Sequence, residues 1–343
     1  MSLVPLLVLM LGTAELQPAD ACRNVLGYMV DGDGSRTTIV VSERGRCLEV
    51  RLDGRVTFTD DDADVATLDP GGTLVATESR AGEVRTLTLA ERGGTIAREY
   101  RVNGAVRPAS ESTRWFADVV LEVVRGTGFG AAERVTRIRR QRGVQGVLDE
   151  VGKLRSDHVR RIYLDQLLAS DDLTADEVRR AARTAADLLQ SDHEKAMVLH
   201  AALERRGADA DVAEEVARGA ASIGSDHERA NVLAAALEHG APSEAAARSS
   251  FFRALDGIGS DHERRRVLED LARRDVLGTE MLRALLASAS RIGSDHEKAA
   301  VLLAIAWRPE LLRDSTVRAS FDAALKTIGS DAEYRRVAGV LAR

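Results

Sequence analysis

The chain is poor in aromatic residues, with 2 Trp, 4 Tyr and 6 Phe among 343 residues. We therefore expect no surface on which nucleic-acid bases stack against aromatic rings. An excess of positive charge is also absent, because 48 Lys and Arg stand against 54 Asp and Glu, for a net charge of −6. A broad basic face that binds nucleic acid by counterion release is not expected either, so no nucleic-acid partner is predicted.

Cysteine is equally scarce, with Cys22 and Cys47 the two in the sequence. Two thiols exclude a disulfide-dense scaffold and a four-thiolate zinc site. In an oxidising compartment a disulfide between Cys22 and Cys47 is permitted, and two unpaired cysteines are the alternative.

The apolar run from Leu3 to Leu11 is too short to span a bilayer, so no transmembrane span is predicted. Together with the small residues that follow, it predicts a signal peptide over residues 1–21, with export to the periplasm or the extracellular face of the envelope. No Lys or Arg precedes the run, which counts against a leader. Cleavage after Ala21 would leave Cys22 first, so a lipid anchor at Cys22 is a further alternative, although Ala19 stands where lipoprotein signals usually have Leu.

The residue patterns predict an α+β chain, in which a small antiparallel β-sheet domain (22–108) is followed by a helical connector (109–150) and an α-solenoid (151–343). From Thr37 to Arg107, apolar and polar residues alternate in about six or seven short runs. Asp53-Gly54 and Asn103-Gly104 supply hairpin turns between such runs. From Ser112 the period becomes helical, which places the connector after the sheet.

An internal repeat is the clearest signal, because Ser-Asp recurs every 34 to 36 residues from Ser156 to Ser330. Each unit predicts two helices and a short turn, which is typical of solenoids built from helical hairpins of about 35 residues. A Val-Leu pair follows the motif Ser by seven and eight residues, as in Val232-Leu233. No unit can bury its own apolar stripe, so neighbouring units are expected to share one elongated core.

The repeated motif is Ser-Asp-His-Glu in four units, with Val159 and Ala332 as variants in the first and last units. Ser at the N-cap with Glu three residues later predicts a capping box, and Asp adds a favourable charge at the positive end of the helix dipole. The Gly before the motif, as in Ile223-Gly224, is expected to adopt the left-handed conformation that ends the preceding helix. The structural motif residues are Ser156, Asp157, Ser191, Asp192, Glu194, Ser225, Asp226, Glu228, Ser260, Asp261, Glu263, Ser294, Asp295, Glu297, Ser330, Asp331 and Glu333.

Five of the seven histidines share one repeat position: His158, His193, His227, His262 and His296. Neighbouring helices lie about 8–10 Å apart, too far for these rings to share a zinc ion at bond lengths of about 2 Å, so no metal site is predicted. The Ser is committed as a cap, and the second His of a His-Glu-x-x-His site is missing, so no catalytic residue is predicted. No phosphate loop or dinucleotide fingerprint is found, and no cofactor is predicted. We expect each ring to pack on the preceding repeat as a small aromatic group, with a pH-sensitive ladder as the alternative.

Two further segments are notable. The first is 54–65 with Gly71-Gly72, and the second is 115–131, which is followed by Val147–Glu150 and the first Ser-Asp. With the repeats, they resemble uncharacterised exported bacterial helical-repeat proteins and the extracytoplasmic C-terminal extensions of beta-lactam-sensor-type membrane zinc metallopeptidases. In those sensors the peptidase chemistry belongs to a membrane domain with His-Glu-x-x-His, which this sequence does not contain. The resemblance implies an envelope location and a sensing or docking role, and it carries over no catalytic residue.

Helical-repeat arrays present extended faces that commonly bind other macromolecules. The sequence therefore predicts a non-catalytic envelope protein whose α-solenoid is a protein–protein interaction or scaffold module, with a protein partner in the envelope. The alternative is a sensor or regulatory module whose β domain binds a ligand and whose solenoid relays the binding.

Overall fold

The computed structural model describes residues 22, 27–32, 36–43, 45–240, 242, 244–274 and 277–341. They divide into two compact units, one ending at Gly130 and the other beginning at Ala131. The predicted connector, 109–150, is thus shared between the two units. The predicted signal peptide, 1–21, lies outside the described residues.

Unit 1 is an antiparallel sheet covered by one helix. Seven strands pair in the order β1-β2-β3-β6-β7-β8-β9, and β4 pairs with β5 in a separate hairpin. The strands are β1 (Gly27–Gly32), β2 (Arg36–Glu43), β3 (Arg46–Asp53), β4 (Val56–Phe58), β5 (Val65–Leu68), β6 (Thr73–Arg80), β7 (Glu83–Arg92), β8 (Thr95–Val102) and β9 (Ala105–Arg107). The predicted alternating runs are confirmed as strands, and β1, β5 and β9 are additions to them.

The core of unit 1 lies between one face of the sheet and helix α1 (Thr113–Thr127). Alternate strand residues such as Leu48, Leu74 and Leu87 are buried against the apolar side of α1, which includes Phe116 and Val120. The period-two and period-3.6 patterns read from the sequence therefore meet in this core.

Cys22 and Cys47 form a disulfide, with their Cα atoms 5.8 Å apart. The bridge links residue 22 to strand β3, and of the two alternatives that the sequence left open the structure contains the disulfide. Because the Sγ atom of Cys22 is bonded to Cys47, it is not free to carry a lipid in this structure.

Unit 2 begins with α2 (Ala131–Val151), which is interrupted at Gly143 (φ 67°, ψ −172°). Six motif helices then start at the Ser-Asp positions: α3 (Asp157–Leu168), α5 (Asp192–Arg206), α7 (Asp226–Glu238), α9 (Asp261–Ala272), α11 (Asp295–Ala306) and α13 (Asp331–Leu341). Between them lie the companion helices α4 (Ala175–Leu188), α6 (Ala210–Ala220), α8 (Ala245–Asp256), α10 (Thr279–Ala289) and α12 (Ser315–Leu325). Short 3₁₀ helices occur at Ala109–Ser112, in unit 1, and at Pro309–Leu312.

The helices of unit 2 stack in two rows, since each motif helix packs on the next motif helix and each companion helix on the next companion helix. One continuous apolar core runs from Ala131 to Val337. The Val-Leu pairs of the motif helices, such as Val198-Leu199 and Val301-Leu302, are fully buried in it. The predicted α-solenoid is confirmed. No helix of the described residues is both long enough and apolar enough to cross a membrane.

Candidate functional site

The motif Ser caps its own helix, as predicted. In five repeats its Oγ accepts the backbone N–H of the Glu three residues later, at 3.3–3.4 Å. Ser156 makes no such bond. The Glu side chains do not complete the predicted capping box, which is present instead at Thr174 and Glu177 of α4. In the motif helices the Glu carboxylate is engaged elsewhere, so this part of the prediction is wrong.

The motif Asp binds the next repeat. Its carboxylate accepts two backbone N–H groups, from the residue before the following motif and from the following Ser, at 2.6–3.1 Å. We call this contact the aspartate clamp; it is formed by Asp157, Asp192, Asp226, Asp261 and Asp295. Burial raises the pKa of Asp157, but bonds from Ser191, Gln190 and Arg160 outweigh this and lower its pKa below the ordinary value. The motif Asp therefore binds the neighbouring repeat, in addition to the favourable interaction with the helix dipole that the sequence predicts.

The motif His also faces the next repeat, whereas packing on the preceding repeat was predicted. In four junctions its Nδ1 lies 3.0–3.2 Å from Oε1 of the following motif Glu, and His262 lies 3.8 Å from Glu297. The rings remain 60–69% exposed, because this contact ties only one edge of the imidazole. The structure thus forms an exposed ladder of His–Glu pairs.

A cation four residues after the motif Ser, buried in three repeats and half-buried in two, makes a contact that no sequence pattern indicated. Its nitrogens donate to carbonyl oxygens at the ends of companion helices, as Lys195 does to Ser222 (3.1 Å) and Lys298 to Thr327 (3.0 Å). These carbonyls have no partner within their own helix, and a cation at a helix C-terminus is favourable. The residues are Arg160, Lys195, Arg229, Arg264 and Lys298. In the sequence, the sign of this contact is an Arg or Lys at the same position of five repeats.

The direction of these contacts explains the variants of the motif. His and Asp reach forward to the next repeat, whereas Glu accepts from the His of the preceding one. Val159 therefore stands in the one motif helix that follows no motif His, and Ala332 in the one that precedes no motif Glu. Tyr334 replaces the cation in the same last repeat.

The glycine before the motif is not left-handed, contrary to prediction. Gly224, Gly259, Gly293 and Gly329 all lack a positive φ. A Cβ atom on Gly224 would lie 3.2 Å from Oδ2 of Asp192, and Gln190 occupies the equivalent position at the first junction. The close approach of the clamp favours Gly here, but a side chain is tolerated.

We expect Gly224→Gln to lower the free energy of unfolding by less than about 1 kcal/mol, because no backbone strain is involved. Urea unfolding followed by circular dichroism measures the change. A loss above about 2 kcal/mol would contradict this geometry and favour a left-handed residue.

The motif helices expose one common face, which we call the outer stripe. It comprises the residues two, six, nine and thirteen positions after the motif Ser, a spacing that keeps side chains on one side of a helix. Successive repeats meet along it, since Arg266 donates to Oδ1 of Asn231 at 2.7 Å. The stripe contains Met197 and Trp307, which are 43% and 63% exposed. Other stripe positions are alanines, such as Ala234 and Ala300, whose short side chains project little from the helices.

His200 is a half-buried member of the outer stripe. Burial lowers its pKa below 6.5, although the carboxylates of Glu228, Glu204 and Glu238 oppose the shift. The fold therefore favours the neutral ring. The stability that this contributes is complete above the unfolded pKa of about 6.5 and declines as the pH falls below it.

The melting temperature is expected to fall between pH 7.5 and pH 5.5, in part because folding opposes protonation of His200. We expect this fall to be smaller in His200→Asn, which has no imidazole to protonate at this position. Thermal unfolding at the two pH values measures this, with His239→Asn as the exposed control that should behave as wild type. An unchanged pH dependence in His200→Asn would contradict the assignment.

Unit 1 contains a separate charged cleft of about 870 Å³ between the sheet and the start of α1, in which nine of the eleven lining residues are charged. At its floor, Arg46 binds both Glu78 and Glu122, and the indole Nε1 of Trp115 donates to Glu78 at 2.7 Å. Burial lowers the pKa of Arg46, but its two carboxylate partners outweigh this and raise the pKa, so it is a permanent cation. No pattern in the sequence indicated this cleft.

Within the described ranges, no group of three or more His, Cys, Asp or Glu side chains is placed to hold a metal ion. Comparison with protein-family models, with curated proteins and with solved structures gives no match.

Proposed function

We propose that the protein is a non-catalytic envelope protein whose α-solenoid binds a protein partner through the outer stripe. The observation that carries this proposal is the distribution of exposed apolar side chains. Within the described part of unit 2, the large exposed ones are Met197, Trp307 and Tyr334. Met197 and Trp307 lie in the outer stripe, and Tyr334 lies in the last motif helix at the position that carries a cation in the other repeats. Large side chains of this kind supply much of the binding energy in protein interfaces.

Ion pairs within a helix occur on both rows, such as Arg218 with Glu214 on a companion helix and Arg273 with Glu269 on a motif helix. Among the described residues of unit 2, the companion helices carry no large exposed apolar side chain beside these pairs. Such a surface is well solvated and gains little from being covered. The motif-helix face is therefore the better candidate for an interface.

The junction contacts support a binding role because they make the outer stripe rigid. Each junction combines the aspartate clamp and a His–Glu pair. A surface held in one arrangement loses less conformational entropy when a partner binds.

Support for the envelope location comes from the Cys22–Cys47 disulfide, since disulfides persist mainly in oxidising compartments. The predicted leader over 1–21 and the resemblance to exported repeat proteins favour the same location. A protein partner in the periplasm or at the extracellular face fits this reading.

The proposal is tested by affinity capture from an envelope extract of the native host with the full chain. The bait is compared with a Met197→Ser/Trp307→Ser variant and with an Arg253→Ser/Arg283→Ser control on the companion helices. We expect a partner that wild type and control retain and that the stripe variant loses by about tenfold or more. Equal retention by the stripe variant would overturn the proposal.

The second candidate function is a sensor, in which unit 1 binds a ligand and the solenoid relays the binding. The charged cleft favours it, because concave sites of about 300–1,000 Å³ with convergent polar groups commonly bind small molecules. This function requires that a cleft ligand change partner capture by the solenoid. Capture that is identical with and without a bound ligand would exclude the relay.

A further inference from the structure

The inner face of the sheet changes from apolar to charged at one end, in three adjacent strands. Inward-facing Leu48, Ala76 and Leu87 are fully buried, and the next inward positions along these strands are Arg46, Glu78 and Arg85. The change is in register between β6 and β7, where Ala76 pairs with Leu87 and Glu78 with Arg85, and it comes one inward position later in β3, where Leu48 pairs with Glu78. The end of a hydrophobic core does not require charged residues, because apolar side chains or a covering loop can close it. The three charged positions therefore need another explanation.

The charges at the floor of the cleft are costly to bury. Glu78 is 7% exposed, and Arg46 and Glu122 are also largely covered. Replacing such a buried network with apolar residues is often neutral or stabilising, so its presence does not follow from stability. One guanidinium between two carboxylates leaves this trio with a net charge of −1, which attracts a cation.

Four further charged side chains line the rim of the cleft. Among the residues that the structure describes, Arg80, Arg114, Glu111 and Asp118 make no side-chain hydrogen bond or ion pair. Arg114 and Asp118 are four residues apart on α1, where opposite charges commonly pair. The cleft thus presents two unpaired guanidinium groups and two unpaired carboxylates to the same space.

We propose that this cleft binds a small zwitterion, a free amino acid or a short peptide with both termini free. Its ammonium group would lie against Asp118, Glu122 and the indole of Trp115, which occupy one face of α1. Its carboxylate would bind Arg80 and Arg114, since guanidinium groups bind carboxylates by charge-assisted, often bidentate, hydrogen bonds. This inference gives the sensor function its ligand class and is independent of the outer stripe.

The test measures binding to the full chain by isothermal titration calorimetry and thermal shift. The probes are the twenty amino acids and the twenty Xaa-Ala-Ala tripeptides. The best binder of each set is then compared with its N-acetylated and C-amidated forms. Asp118→Asn and Arg114→Gln alter the two halves of the cleft, and Arg92→Gln is the exposed control outside it. Because these three side chains are exposed, the variants are expected to fold, and their melting temperatures check this.

We expect at least one free zwitterion to bind, and blocking either terminus to weaken its affinity by about tenfold or more. Asp118→Asn should reduce the discrimination against the acetylated form, and Arg114→Gln the discrimination against the amide. Failure of every probe, or binding that neither blocking nor the two cleft variants change, would overturn the proposal. If a zwitterion binds but does not alter partner capture, the ligand assignment holds and the relay fails.

Discussion

Asp226→Ala is expected to lower the free energy of unfolding of the solenoid by about 2–3 kcal/mol. The substitution removes the acceptor of the Gly259 and Ser260 backbone N–H groups, which lie 3.0 and 2.8 Å from it. Bonds to a charged acceptor contribute roughly 1.5–3 kcal/mol each when buried, and less here because the Gly259 bond is exposed. In a repeat array this loss falls on the interface between neighbours, so unfolding should also become less cooperative.

Asp331→Ala is the matched control for this clamp. Asp331 occupies the same motif position, but among the residues that the structure describes its carboxylate accepts no backbone N–H group. We expect a change within about 0.5 kcal/mol. Urea unfolding followed at 222 nm compares the two variants, and equal losses would contradict the role of the clamp.

Arg134→Met is expected to lower the free energy of unfolding by about 3–5 kcal/mol. At the start of the array Arg134 donates to Glu150 at 2.8 Å and to the hydroxyl of Tyr163 at 2.9 Å. The side chains of Arg134 and Glu150 are 4% and 2% exposed. Without Arg134, the buried Glu150 keeps the half-exposed Lys153, 3.2 Å from its Oε2, but loses its buried partner, and breaking a buried pair in this way costs about 3–5 kcal/mol.

The Arg134→Met/Glu150→Leu double variant separates charge from packing. Because it removes both charges, it should regain most of the stability that Arg134→Met loses. Chemical unfolding of the single and double variants measures this. A double variant no more stable than Arg134→Met would show that packing by Arg134, rather than its charge, is responsible.

Local signals in the sequence were sufficient for the elements and for the solenoid. The Ser caps, the hairpin turns and the buried Val-Leu pairs each depend on residues close together in the chain. The period of 34 to 36 residues then indicated that these elements stack. For this reason the fold class could be predicted without any contact between distant residues.

The junction contacts could not be predicted in the same way, because they join residues about one repeat apart. In a capping box the Glu carboxylate would bind the N-cap backbone N–H of its own helix. In the motif helices this carboxylate binds the His of the preceding repeat instead. The variants Val159 and Ala332 did contain the missing information, since Val159 replaces the Glu that pairs with the preceding repeat and Ala332 replaces the His that pairs with the following one. The glycine prediction failed because a short turn does not by itself require a positive φ.

The cleft was beyond sequence analysis for a simpler reason. Arg46, Glu78 and Glu122 come from two strands and a helix, and each looks like an ordinary surface charge in its own segment. Only the register of β3 with β6 and the packing of α1 bring them together.

Site-specific photocross-linking in cells of the native host tests the central claim, that the outer stripe binds a protein. A photoreactive amino acid is placed at Met197 or Trp307, and at Arg253 on a companion helix as the control. We predict that both stripe positions cross-link to the same protein, which position 253 does not capture. Cross-links to that protein from all three positions, or none from the two stripe positions, would contradict the claim.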